Sequence, residues 1–395
     1  MRFYPKALLK RLSRSYVVTL VFLLLSFVSF YVWRLATLTR GLSPAESAAR
    51  ANTFSIHRVL DNPINLPQKL LQLTAQKLGY HGAFSMRLSS VIIALLFLIA
   101  MFWLMRTWFG VTAGLAAALI FATTPLVVLL ARSATSDVML LAPAAVLAAY
   151  VRLSRHETKP DRPWLLLVII CSAALYVPGM VWLLGAGVFF TRKKMLAIAK
   201  AIQRKTLVVS GALAAVIILP MIWALVRNIN LYHDLLLIPA RWGQPVAIFK
   251  SIGWMALALV WRTPHFNPLI VGRLPILDGV LVCLVVFGAY VMWTRARREM
   301  SVILAVLVFS IIVAGINNNL LLLALGLPGL AVLVGAGLRY LYAEWRGIFP
   351  KNPIPLSFAW ILIVLVVSLQ MAYGFRYTLV AWPNTTATKT LYVLK

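Results

Sequence analysis

The sequence predicts an all-α, polytopic membrane bundle that forms one domain over residues 1–395. Of the 395 residues, 62% are hydrophobic and only 12% are charged. The apolar residues are gathered in runs of about 20, the length of helix that crosses a hydrocarbon core. A soluble enzyme of this length would need a polar surface that the chain lacks.

The net charge and the positions of the cysteines narrow the class of protein further. The formal net charge is +29, but the Lys and Arg residues punctuate apolar runs and form no basic domain. They indicate membrane topology and anionic lipid, with no nucleic-acid partner. Cys171 and Cys283 lie inside apolar runs, which predicts small core residues and neither a disulfide nor a zinc site.

The apolar runs predict about eleven membrane spans. Two of them come from a single run that is interrupted at Pro178-Gly179. Basic residues flank this run on both sides, so the positive-inside rule places both flanks in the cytoplasm and predicts a hairpin of two short arms. The expected spans are residues 16–34, 88–105, 111–130, 137–153, 163–176, 178–191, 206–226, 274–293, 300–316, 320–338 and 355–374.

Loop charge predicts the orientation of these spans. Basic residues before the first span place the N-terminus in the cytoplasm, and that span is too long for a removable signal peptide. The C-terminus is then extracytoplasmic in a plasma membrane that we expect to be bacterial. Three segments become exterior: a first loop at 35–87 with short amphipathic helices, a second segment at 227–273 and a tail at 375–395.

Acidic residues are rare, and their positions suggest where chemistry would occur. Only nine Asp and Glu are present. Those on the cytoplasmic side each lie within two residues of a base and are expected to be solvated loop charges. Acid, base or metal chemistry would therefore depend on the five acids at the outer side: Glu46, Asp61, Asp137, Asp234 and Asp278.

Glu46 and Asp137 each have a structural and a catalytic interpretation. Ser43-Pro44-Ala45-Glu46 fits a capping box, and Arg50 lies one helical turn later, where it could pair with Glu46. Asp137 immediately precedes or opens a span, where an acid complements the helix N-terminus. Both carboxylates also stand at the outer membrane boundary, where an unpaired charge is costly and is often functional.

Several short motifs, in this order, resemble those of membrane glycosyltransferases related to protein O-mannosyltransferases and the aminoarabinose transferase of lipid A. The resemblance spans roughly residues 16–340 and depends on the order of its motifs more than on any one of them. The motifs are Gly41-Leu42-Ser43-Pro44-Ala45-Glu46, Asp61-Asn62-Pro63-Ile64-Asn65-Leu66-Pro67, Gly82-Ala83-Phe84-Ser85-Met86-Arg87-Leu88, Ala131-Arg132-Ser133-Ala134-Thr135-Ser136-Asp137, Tyr176-Val177-Pro178-Gly179 and Leu327-Pro328-Gly329-Leu330.

The resemblance implies a GT-C fold, in which first-loop helices cover an extracytoplasmic cavity. Such enzymes move a sugar from a polyprenyl-phosphate donor to a lipid, glycan or protein acceptor. Glu46 falls at the acid expected to act as general base or metal ligand, with Asp137 as the second catalytic acid. The family often has an Asp-Glu pair where this chain has Ala45-Glu46, so dependence on a divalent metal stays open.

The resemblance also implies roles for basic and polar residues. Arg132, Arg87 and Arg50 are the expected ligands of the donor phosphate, because a guanidinium is permanently charged and bidentate. For Arg132 the alternative is an ion pair with Asp137. Asn65, His81 and His265 are expected at the cavity, although a lone histidine is more often a hydrogen-bonded interface residue.

Two other classes of protein remain alternatives. A transporter or flippase would have a similar number of spans, but the chain shows no internal repeat and no acid in the middle of a span. A non-catalytic lipid-binding assembly protein is compatible with acids that serve only as helix caps. Transfer of a labelled sugar from a polyprenyl-phosphate donor would separate these classes from an enzyme.

Overall fold

The computed structural model describes residues 21, 25–39, 41–155, 160–263, 270–350 and 353–392. The regular elements in these ranges are helices, which confirms the all-α prediction. The first predicted span lies largely outside the described residues, and its described end is helical at 25–32, here α1. The predicted short helices of the first loop are present as α2 (Pro44–Asn52), α3 (Ile56–Asp61) and α4 (Leu66–Lys77).

The rest of the described chain folds into helices of 3 to 27 residues. Two 3₁₀ segments at Ser136–Leu141 and Leu320–Gly326 and a π segment at Arg376–Ala381 interrupt the α-helices. The helices are α5 (Ala83–Phe109), α6 (Val111–Thr123), α7 (Pro125–Arg132), α8 (Pro143–Arg155), α9 (Asp161–Ala174), α10 (Met180–Ala201), α11 (Arg204–Arg227), α12 (Leu231–Leu236), α13 (Pro245–Val260), α14 (Gly279–Arg295), α15 (Arg297–Ile316), α16 (Leu327–Ile348), α17 (Pro353–Phe375), α18 (Trp382–Asn384) and α19 (Thr386–Leu391).

The predicted count of about eleven spans is not confirmed. In the described part of the chain, six helices are long and apolar enough to cross a membrane, or seven if α6 and α7 form one bent span. The chain bends by 61° between α6 and α7, where Pro125 lacks the N–H that would continue the helix. Several other predicted spans are helices that fall short of a full crossing, such as the 14-residue α9.

The predicted turn after Tyr176 is present, but its arms are unequal. α9 has 14 residues and α10 has 22, because α10 continues through the basic run that was expected to be a loop. Gly179 adopts a φ of +78°, and its N–H donates to the Leu235 carbonyl at 2.8 Å. The Tyr176 carbonyl accepts from the Asn65 N–H at 2.8 Å, so this turn supports the first loop.

One apolar helix was not expected. α13 lies inside the segment that was predicted to be a second exterior segment, and Lys250 and Ser251 interrupt its apolar run. It packs closely on α15, since a Cβ at Gly315 would lie 2.6 Å from the Ile252 Cα. The exterior placement of residues 227–273 stays a prediction.

The core lies around α16, whose apolar window is 94% buried together with the preceding 3₁₀ segment. α16 packs on α14 with its backbone nearly in contact. A Cβ at Gly288 would lie 1.8 Å from the Leu333 carbonyl oxygen, and one at Gly337 would lie 2.4 Å from the Leu284 carbonyl oxygen. Small residues at such crossings allow membrane helices to approach each other. Cys171 is half-buried and Cys283 is exposed, so the core position predicted for Cys283 is wrong.

Candidate functional site

Ser43, Glu46, Arg87 and Ala134 meet where the first loop packs on the bundle, a region called the loop face below. The Glu46 carboxylate lies at its centre and is fully buried, with 0% exposure. Arg87, which is 3% exposed, binds it with two hydrogen bonds, from Nε to Oε1 at 3.0 Å and from Nη2 to Oε2 at 2.8 Å. The Ala134 N–H donates to Oε1 at 2.8 Å, and the Ser43 N–H donates to Oε2 at 3.1 Å. Four donors therefore surround this carboxylate.

The predicted capping box is confirmed. The Glu46 N–H donates to Ser43 Oγ at 3.2 Å, and Glu46 returns the bond to the Ser43 N–H. The predicted pairing of Glu46 with Arg50 is wrong, because Arg87 occupies both carboxylate oxygens from a position 41 residues away. A bidentate pair in a buried site is stronger than the exposed pair that helical spacing suggested.

Arg132 caps the end of α1. It is 7% exposed and donates to the carbonyls of Phe30, Tyr31 and Trp33 at 3.0, 2.9 and 2.9 Å. Helix C-termini leave such carbonyls without partners within the helix. Within the described residues Arg132 forms no ion pair with Asp137, so that sequence-based alternative is not observed.

A row of buried glutamines on α4, which the sequence pattern did not single out, holds the first loop together and attaches it to the segment after α7. Gln68, Gln72 and Gln76 are 0%, 1% and 4% exposed and repeat every four residues along one face. Their amides donate to Thr135 O at 3.0 Å, Ala134 O at 2.7 Å and Thr53 Oγ1 at 2.8 Å. The recurrence of Gln at every fourth position was the sequence signal that could have predicted this row.

Asn65, at the N-terminus of α4, reaches the start of the 3₁₀ segment that carries Asp137. Asn65 is 5% exposed and left-handed, with a φ of +58°. Its Nδ2 donates to Ser136 Oγ at 3.1 Å, while its buried Oδ1 has no hydrogen-bond partner among the residues that the structure describes. A buried acceptor without a donor raises the free energy of the folded state. A ligand that donates a hydrogen bond to this oxygen would therefore bind favourably here.

Asp137 is half-buried in the first turn of the 3₁₀ segment. This place in the chain agrees with its predicted position at the start of a span. It interacts with the side chain of Thr135. Among the described residues it forms no ion pair, unlike Glu46. Within the described residues Asp137 thus combines partial burial with the absence of a paired cation.

Lys69 follows Asn65 by one turn of α4 and was not singled out by the sequence. Its Nζ donates to the Asn62 carbonyl at 2.7 Å and to Asn62 Oδ1 at 3.4 Å. Burial lowers the pKa of Lys69 to about 8, because desolvation penalises the ammonium form. In the described part of the chain Lys69 is held by neutral acceptors and has no carboxylate partner, so it can bind an added anion.

The other predicted site residues are dispersed. Arg50 is half-buried on α2, His81 is exposed, and His265 lies outside the described residues. Asp278 caps α14 by accepting from the N–H groups of Val280 and Leu281 at 3.0 Å. Across the described ranges no three His, Cys, Asp or Glu side chains group together in a way that could hold a metal ion, so the donor set does not fit the metal that the resemblance left open.

Comparisons with known proteins agree with the resemblance. Residues 68–226 match the model of the dolichyl-phosphate-mannose-protein mannosyltransferase family. No curated protein sequence matches the chain significantly. ArnT from Cupriavidus metallidurans, solved with undecaprenyl phosphate, has a similar fold, with a TM-score of 0.57 and 14% identity over 95% of this chain and 77% of that one.

A second group of similar structures comes from an archaeon. The Archaeoglobus fulgidus oligosaccharyltransferase tethered with an acceptor peptide gives a TM-score of 0.54 and 15% identity over 96% of this chain. The same organism's AglB, in complex with an inhibitory peptide and a dolichol-phosphate, gives 0.54 and 14% over 94%. This chain spans 55% and 56% of those two chains. The fold is thus that of polytopic GT-C membrane glycosyltransferases.

Proposed function

We propose that the protein is a membrane glycosyltransferase that moves a sugar from a polyprenyl-phosphate donor to an acceptor on the extracytoplasmic face. Its fold and the family match over residues 68–226 support this class. The observation that carries the proposal is the position of Asp137, a carboxylate that has no paired cation among the described residues and follows Ser136, which binds Asn65 at the N-terminus of α4. The acceptor would be a lipid, glycan or protein that offers a nucleophilic oxygen.

In this proposal Asp137 is the general base. It takes the proton from the acceptor hydroxyl while that oxygen attacks the anomeric carbon of the sugar. The bond between the anomeric carbon and the phosphate oxygen breaks, and the electron pair leaves with the polyprenyl phosphate. Proton transfer of this kind contributes about 10²- to 10⁴-fold to the rate.

Glu46, Arg87 and Arg132 act in this proposal by holding the loop face in place. Glu46 was the expected base, but its oxygens accept four hydrogen bonds in a buried site. The guanidinium groups of Arg87 and Arg132 donate to backbone carbonyls, of Leu35 at 2.9 Å and of Tyr31 at 2.9 Å. Removing any of the three would therefore disturb the frame on which Asp137 lies.

Lys69 and Arg50 become the proposed partners of the donor phosphate. Among the described residues, the Lys69 ammonium group is bound by Asn62 alone, and Arg50 is half-buried on the neighbouring α2. Lys69 stands one turn beyond Asn65, whose amide reaches Ser136. Lys69 and the proposed base thus share one end of α4, while the Arg50 carbonyl accepts from Gln76 near the other end of that helix.

The test is binding and turnover of a polyprenyl-phosphate sugar by the full chain in nanodiscs, with envelope membranes supplied as acceptor. We expect saturable binding of polyprenyl phosphate and release of the labelled sugar from its carrier. Lys69→Met should weaken binding by about tenfold, as expected for one lost charge-assisted hydrogen bond. Lys77→Met, on the exposed end of the same helix, is the matched control and should bind normally.

A non-catalytic lipid-binding protein is the second candidate function. The observation in its favour is that the first-loop acid Glu46 serves a structural role. Such a protein would bind polyprenyl phosphate through the same polar groups and would leave the sugar on its carrier. Binding without any release of sugar, with every acceptor fraction tried, would favour this function over the enzyme.

A further inference from the structure

A polar cavity of about 300 Å³ lies between the chain that follows α1 and the C-terminal tail. It is separate from the region of Asp137 and Lys69, and neither residue lines it. One wall comes from residues 34–39 and the other from α18 and α19. The polar lining residues are Arg34, Thr39, Asn384, Thr388, Lys389 and Tyr392.

Two cations from opposite ends of the chain converge on this cavity. Arg34 and Lys389 are both exposed, and Arg34 lies against the Trp33 ring at 5.7 Å. In the described part of the protein neither side chain pairs with a carboxylate. The two cations repel each other, whereas a bound anion would attract both of them.

The floor of the cavity is a rigid aromatic donor. Tyr392 is 4% exposed, packs edge-to-face on Trp382 with ring centroids 5.5 Å apart and lies under the Arg87 guanidinium at 5.8 Å. Burial raises the pKa of the Tyr392 phenol above its usual range, and its hydroxyl also interacts with the Ser43 side chain. A protonated phenol offers a hydrogen-bond donor to an anion.

We propose that this cavity binds a phosphate ester. The lining combines a guanidinium, an ammonium and hydroxyl donors, which together suit the several acceptor oxygens of a phosphate group. Two sources share this chemistry: the headgroup of an anionic phospholipid and a water-soluble phosphate ester. The site is independent of the proposed glycosyltransferase activity, because none of its residues belongs to the proposed catalytic or donor-binding groups.

A bound phosphate would also strengthen the contact between the tail and the first loop. Tyr392 contacts Arg87 from the tail side, and Arg87 binds Glu46, whose Oε1 accepts from the Ala134 N–H at 2.8 Å. The cavity therefore adjoins the buried ion pair that holds the loop face. Occupancy would stabilise the folded chain by mass action.

The experiment uses the full chain with two probes. sn-Glycerol 3-phosphate is titrated calorimetrically into protein in nanodiscs of neutral lipid, and retained phosphatidylglycerol is measured by native mass spectrometry against phosphatidylcholine. Arg34→Gln and Lys389→Gln should each weaken binding of one or both probes by about tenfold, the effect of losing one charge-assisted hydrogen bond. Arg376→Gln removes an exposed charge from the same tail but outside the cavity and should leave binding unchanged.

The pattern of loss identifies the source. An effect on sn-glycerol 3-phosphate assigns the site to a soluble ester, and an effect on retained phosphatidylglycerol assigns it to a lipid headgroup. Because Arg34 and Lys389 are exposed, both variants should unfold at the wild-type temperature. The proposal is overturned if the wild type binds neither probe, or if Arg376→Gln loses as much affinity as the two cavity variants.

Discussion

At the residue scale, the Glu46 carboxylate joins three parts of the loop face. It accepts from Ser43 at the start of α2, from Arg87 near the start of α5 and from the Ala134 N–H beyond α7. A buried pair of this kind is costly to break, because the remaining charge stays in a site without water. The structure thus explains why an acid is required here in addition to its capping role.

Replacing Glu46 tests this role. The capping box alone would tolerate Gln at this position, but Gln leaves the Arg87 cation buried without a counter-charge. We expect Glu46→Gln to destabilise the protein by about 3–5 kcal/mol, measured by thermal and denaturant unfolding in detergent. Asp61→Asn, at an exposed position on α3, is the control, and equal stability of the two variants would contradict this role.

Lys69 gives a prediction about pH. Because burial lowers its pKa to about 8, the ammonium loses its proton as the pH rises through that value. Affinity for polyprenyl phosphate should therefore be highest below pH 8 and should decline above it. Lys69→Arg keeps its charge throughout this range and should flatten the profile, whereas Lys77→Arg should not. An unchanged profile in Lys69→Arg would remove Lys69 from the phosphate site.

Local pattern predicted part of this site and could not predict the rest. The capping box involves neighbours in sequence, so it could be read from Ser43 and Glu46. The partner of Glu46 could not be predicted, because Arg87 is 41 residues away and helical spacing favoured Arg50. Arg132 was expected to bind the donor phosphate or, as the alternative, to pair with nearby Asp137, while its observed partners are carbonyls at the end of α1.

At the scale of elements, two glycines set the closest helix contact in the core. Gly288 on α14 and Gly337 on α16 each face a backbone carbonyl of the other helix at distances that exclude a Cβ. Backbone atoms cannot move aside as a flexible side chain can. Close approach of α14 and α16 therefore depends on these two positions.

Alanine scanning of the helix glycines tests this dependence. Gly288→Ala should destabilise the protein by about 1–3 kcal/mol through overpacking, measured by thermal unfolding in detergent. Gly211→Ala in α11 has open space around the added methyl and should be neutral or stabilising by up to about 1 kcal/mol, because Ala is the better helix former. Similar effects at both positions would contradict the close packing.

Hydrophobic runs predicted where helices occur better than how many of them cross the membrane. All eleven predicted spans overlap described helices, the first of them through α1, because an apolar run must satisfy its backbone internally. Hydropathy could not predict the break at Thr124-Pro125 or the short α9. Tertiary packing decides whether such a helix crosses the membrane. α13 was missed because Lys250 and Ser251 interrupt its run.

At the scale of the whole molecule, the proposed chemistry depends on sidedness. Cysteine accessibility in intact cells, in a background without Cys171 and Cys283, tests it directly. Ala48→Cys on exposed α2 should react with an impermeant reagent, and Lys193→Cys on exposed α10 should react only after permeabilisation. The reverse pattern would place the first loop in the cytoplasm and would contradict an extracytoplasmic site.

The central claim is that this fold carries out sugar transfer with Asp137 as the base. The most direct measurement is the turnover of a labelled polyprenyl-phosphate sugar by wild type and Asp137→Asn, with donor affinity and unfolding temperature recorded on the same samples. We predict that Asp137→Asn lowers turnover by about 100-fold or more while donor affinity and unfolding temperature stay at wild-type values. Wild-type turnover in Asp137→Asn would contradict the claim.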